Sequence, residues 1–145
     1  MTAQVLVITD SLEENPALFE AVRARADQSP CAFRIVVTNP ARAEVHLLHA
    51  DRHDAVERSR DRLAEIAFQL SVQTGCAVTG EVSIRHDAFE AAEEDHLQHP
   101  ADEVIVAVRE HRLAERLHHD LRHRLERLHL VVTAVSPEDT PAPTA

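Results

Sequence analysis

The residues of this chain best placed to do chemistry stand at the ends of two apolar runs. The first run, VLVI at 5–8, ends in Thr9, Asp10 and Ser11. The second, EVIVAV at 103–108, ends in Ala107, Val108 and Arg109. If both runs are strands of one parallel sheet, their carboxyl ends flank the crevice in which such sheets hold ligands. Asp10 would bring a carboxylate to it. Arg109 and Arg112 would bring two permanent cations with the planar fork that grips phosphate. The commoner phosphate grip is a turn of backbone amides, and it needs glycines so that the chain can approach the anion. Only Gly75 and Gly80 occur in the chain, and both lie upstream of the second run. Glu110 and Asp120 add carboxylates just after it, and these would repel a polyphosphate.

Other reactive groups form no constellation. His119 and His123 are four apart on one helical face, and His46, His49 and His53 are close in sequence. A zinc site needs a third convergent ligand and a supporting shell, and the sequence identifies neither, so no metal is expected. Ser11, Ser59, Ser71 and Ser83 lack the glycines of a nucleophile elbow. Cys31 and Cys76 have no metal-ligand spacing and read as buried or half-buried thiols. All 15 basic residues are arginine, so lysine chemistry, whether a P-loop lysine or a Schiff base, is excluded. No catalytic set emerges, and no enzyme activity or cofactor is expected.

The elements that must position these residues alternate. A strand at 4–8 precedes a helix opened by Asn15-Pro16, with the proline in the first turn where its missing N–H is harmless. A second strand at 33–37 follows. Val45, Leu47 and Leu48 would form a short edge strand or cover the sheet end. A long helix starts at Asp51 or Asp54, carries Val56, Ser59, Leu63, Ile66, Ala67 and Leu70 inward, and stops at Gly75. The third strand is expected at 76–84. A third helix after Asp87 points Ala88, Phe89, Ala92 and Leu97 at the core, with 93–95 (EED) as a solvated charge run. After the strand at 104–108 comes a helix with the stripe Leu113, Leu117, Leu121, Leu125 and Leu128, and a last strand at 130–135. Five strands alternating with helices give an α/β, three-layer, doubly wound sandwich. Its sheet is parallel and five-stranded, in the flavodoxin-like order 3-2-1-4-5.

The chain has 145 residues, 44% hydrophobic and 28% charged, which fits one domain with a full core. That domain is expected over 1–136, with a Pro-rich tail at 137–145. A net charge of −10 argues against nucleic acid. No apolar run reaches membrane-spanning length and no signal peptide is evident, so a cytoplasmic location is expected. Residues 109–129 run against the acidic trend, with six arginines, five histidines and four acidic groups. That helix could present a surface to a protein partner or an anion, or simply a solvated face of Glu–Arg pairs.

VLVITDSLE (5–13) resembles the opening strand of the universal stress protein family, with Asp10 on the acidic position and Glu13 on the glutamate. HPADEVIVAV (99–108) is similar to the stretch leading into that family's fourth strand. The resemblance implies an adenine nucleotide alpha hydrolase-like sheet. It places Asp10 where ATP-binding relatives meet the nucleoside. In those relatives the fourth strand runs into Gly, two residues, Gly, nine residues, then Gly with Ser or Thr. Here those places hold Ala107, Glu110 and Asp120-Leu121. The resemblance therefore implies a divergent binding or regulatory protein that does not use the glycine loop. The alternative is a nucleotide-binding or hydrolysing protein with an Arg109/Arg112 phosphate site. The pocket residues by position are Asp10, Ala107, Arg109 and Arg112. The family also implies a homodimer through the last strand, here Val131, Val132 and Val135, and a proline at Thr133 is expected to remove one of its outward donors.

Overall fold

A computed structural model describes residues 2–12, 15–38, 49–83, 85, 87–107 and 123–135. The elements are β1 (Ala3–Thr9), α1 (Pro16–Gln28), β2 (Cys31–Val37), α2 (His49–Thr74), β3 (Val78–Val82), α3 (Ala88–Gln98), β4 (Glu103–Ala107) and β5 (Val131–Ala134). The strands form one sheet in the order β3-β2-β1-β4-β5, and every neighbouring pair is parallel. This is the expected doubly wound architecture.

The central strands are apolar at almost every position because both faces of the sheet are covered. Side chains alternate between those faces. Val5, Val7, Phe33, Ile35, Val37, Ile105 and Ala107 meet α1 and α2 through Leu18, Val22, Leu63, Ile66 and Leu70. Leu6, Ile8, Val36, Val104 and Val106 meet Ala91 and Ala92 of α3, together with Leu125 and Leu130. The inner stripe of α2 is as the periodicity requires. Its helix starts at His49, earlier than either aspartate, so neither Asp51 nor Asp54 is its cap.

Both glycines are consumed by this architecture. Gly75 ends α2 with φ +70°, a left-handed conformation that other residues adopt only under strain. Gly80 lies in β3 directly beneath α2. A Cβ there would stand 2.5 Å from Leu63 Cγ. Close seating of α2 on β3 thus depends on a missing side chain.

Other expectations are corrected. β3 is shorter than 76–84, and Leu97 faces outward at 76% exposure. Asp95 is not on a solvated run. It is buried, and its Oδ1 accepts from Arg34 Nε at 2.7 Å. A helix of 11 residues packing on a sheet turns every third or fourth residue inward, and after Ala91 and Ala92 the next such position is Asp95. An arginine inside β2 makes that tolerable, and the same guanidinium also pairs with Glu81. Of the last leucine stripe, Leu125 is fully buried and Leu128 packs beside it. Residues 123–126 are helical, and His129 leaves that turn with φ 63°. Leu113, Leu117 and Leu121, the segment holding Val45, Leu47 and Leu48, and the tail at 137–145 lie outside the described residues.

Candidate functional site

The strand order reverses between β1 and β4, so their carboxyl ends open the crevice that the topology reserves for ligands. In register Thr9 stands beside Ala107. Ala107 is fully buried and belongs to the α1/α2 side of the core. It forms a floor and offers no polar group of its own.

Thr9, also fully buried, bends the chain as it leaves β1. Its Oγ1 donates to the Ser11 carbonyl at 2.8 Å and accepts from the Ser11 N–H at 3.2 Å. This local hydroxyl turn lifts Asp10 to the rim, where it is half-buried. The Thr38 N–H donates to the Thr9 carbonyl at 2.9 Å, which ties the exit of β2 to the same corner. Leu12 then folds back into the core.

Asn15 was legible in the sequence only as a helix opener. It does occupy the N-cap of α1, but its side chain makes no capping bond. With Pro16 at the first helical position one amide is already missing. The Asn15 amide nitrogen instead reaches back to the Ser11 carbonyl at 3.4 Å. Its Oδ1 is buried and has no hydrogen-bond partner among the described residues. A buried acceptor left unpaired costs about 1–3 kcal/mol. Asn15 is therefore the site residue that sequence reasoning missed. Asn before Pro at a helix start reads as capping, and only the fold shows the side chain turned toward the strand exit.

The structure thus brings together Asp10 and Ala107 at the switch point, with Thr9, Ser11, Asn15 and Thr38 around them. Asp10 brings a carboxylate to this corner, and Asn15 an amide oxygen buried beneath it. Arg109, Arg112, Glu110 and Asp120 lie outside the described residues.

Away from this crevice, a cavity of about 280 Å³ lies against β1, β2 and the end of α3. Its polar wall is Arg34 and Asp95, which are already paired with each other. Elsewhere, Arg25 of α1 forms a fork with Glu103 of β4, at 2.9 Å from Nε and 2.6 Å from Nη2. That hydrogen bonding raises the Arg25 pKa further. Among the described residues no group of three or more His, Cys, Asp or Glu is placed to hold a metal ion, and no helix is long and apolar enough to cross a membrane.

No family model matches the chain, and no curated protein matches it. Solved structures do. The fold is similar to that of a universal stress protein family member from Burkholderia pseudomallei, at 19% identity and TM-score 0.55, covering 91% of this chain and 94% of that one. It is also similar to a crystal structure described as a hypothetical protein, at 14% identity and TM-score 0.58, covering 98% and 100% of the two chains. At these identities the likeness is one of fold.

Proposed function

We propose that this chain is a cytoplasmic binding or regulatory protein of the universal stress type that does not hold ATP through a glycine loop. The observation that carries this reading is the commitment of both glycines. Gly75 is spent on a helix end and Gly80 on the seat of α2, while the floor beside Asp10 is the methyl of a buried alanine. Residues 108–122 contain no glycine from which to build a cradle of amides. The negative charge of Asp10 at the switch point favours a neutral or cationic ligand, or the nucleoside end of a larger one, over an anion.

The same reading includes a homodimer through β5. That strand is an edge of the sheet, and Val131 is 64% exposed. Unpaired strand edges are templates for another strand, and a second copy about a two-fold axis is the economical cover. The N–H groups of Val131 and Val135 donate inward, to Asp102 and Val106. By the alternation of a strand, the outward donors are those of Val132 and Ala134, not Thr133. A proline at Thr133 would therefore cut the β4 ladder, and Ala134 is the position that tests the edge.

Titration calorimetry with Mg-ATP tests the ligand half of the proposal. No saturable heat is expected below millimolar nucleotide. A micromolar Kd would refute it, and loss of that binding in Arg109→Ala and Arg112→Ala would transfer the site to the two arginines.

A further inference from the structure

The two cysteines are 45 positions apart in sequence, yet the sheet brings them together. In the parallel β2–β3 ladder Phe33 pairs with Val78, and the Phe33 N–H donates to the Ala77 carbonyl at 2.9 Å. The ladder begins at that pair, and each cysteine lies two residues before it, Cys31 at the start of β2 and Cys76 in the bend after Gly75. Both join the α1/α2 side of the core, Cys31 buried within it and Cys76 packed against it. Neighbouring chains of a sheet run about 4.7–4.9 Å apart, within the Cα separation a disulfide spans.

Their surroundings differ in a useful way. Burial pushes the Cys31 thiol above its ordinary value, so Cys31 is a poor first nucleophile. Cys76 is half-exposed, in the turn after Gly75, with its N–H held by Thr74 Oγ1 at 3.2 Å. The Arg25 guanidinium, fixed by Glu103, interacts electrostatically with both sulfurs.

We propose that Cys31 and Cys76 are a reversible redox pair, with Cys76 the attacking thiol and Cys31 the resolving one, oxidised by small-molecule disulfides. The Cys76 thiolate attacks one sulfur of the oxidant. The oxidant's S–S bond breaks, and one thiolate leaves and takes up a proton. The Cys31 sulfur then attacks the Cys76 sulfur and loses its proton, and the second thiol leaves. The protein gives up two electrons and two protons, and one disulfide becomes two thiols. Cys31 needs no access to solvent, because its partner delivers the oxidised sulfur to it. The product ties the start of β2 to the approach to β3 and closes a loop of about 45 residues that contains α2.

The test uses the full chain with glutathione disulfide as oxidant. Cleavage at arginine places Cys31 in peptide 26–34 and Cys76 in peptide 63–85. The expected product is a monomeric chain lighter by two hydrogens, with those two peptides joined and released by dithiothreitol. Its thermal midpoint should lie about 5–10 °C above that of the reduced protein, from the loop it closes. Cys31→Ala should stop at a glutathione adduct on 63–85. Cys76→Ser, which leaves the core thiol in place, should take up no glutathione. A wild-type chain that retains glutathione on Cys76, that cross-links only between molecules, or that resists oxidation while folded would overturn the proposal.

Discussion

Replacing Gly80 with alanine puts a methyl carbon where Leu63 already stands. The ideal Cβ would meet Leu63 Cγ at 2.5 Å and both Cδ atoms at 2.8 Å, far inside van der Waals contact. Leu63 is 2% exposed and its branch point is the obstacle, so a terminal rotation does not relieve the clash. Overpacking of this kind costs about 1–3 kcal/mol. The lost flexibility of glycine in a strand offsets roughly 0.5–1 kcal/mol of it. Leu63→Ala alone should cost about 2–5 kcal/mol as a buried truncation. In that background the added methyl enters vacated space, and Gly80→Ala should become neutral or stabilising by up to about 1 kcal/mol. The cycle should therefore show a coupling of about 1–3 kcal/mol between the two sites. Urea unfolding of the four proteins, compared at constant m, measures it. Additivity within about 0.5 kcal/mol would refute the claim that this glycine is committed to seating α2.

Three further outcomes follow from the packing. Leu125→Ala, at a fully buried position, should cost about 2–5 kcal/mol by the same assay. Asp95→Ala strips Arg34 of its buried partner and should cost about 1–3 kcal/mol, while Glu93→Ala on the exposed side of α3 should change stability by less than about 0.5 kcal/mol. Ala134→Pro removes an outward donor of β5 and should shift sedimentation at micromolar concentration from dimer to monomer without lowering the unfolding midpoint. A wild-type monomer, or a dimer indifferent to the proline, would exclude the β5 edge.

The sheet was legible because its strands announce themselves. Residues 5–8 and 104–107 are continuous apolar runs and 33–37 is broken only by Arg34, a pattern that fits strands covered on both faces. The stripe from Leu63 to Leu70 was equally plain, because a helix on a sheet must repeat its apolar residues every three or four positions. Asp95 and Leu97 were misread for one shared reason. The inward face of α3 was inferred from hydrophobicity, and the sequence does not reveal that Arg34, 61 positions away, would neutralise a carboxylate there. At the site, Asp10 and Ala107 were placed by topology alone, since strand ends at a switch point converge whatever their side chains. Asn15 was not, because its function in the corner depends on a hydrogen bond to Ser11 that competes with the capping bond its position suggests. That Cys31 and Cys76 share one side of the core was hidden in the sequence, because it depends on how β2 and the approach to β3 lie together, which neither segment displays by itself.

Native mass spectrometry of the purified chain in excess Mg-ATP tests the central claim most directly, because one spectrum reports both assembly and occupancy. The account predicts a principal species at twice the 16.2 kDa chain mass with no nucleotide added. A species carrying one ATP per chain, stable under conditions that preserve the fold, would contradict it.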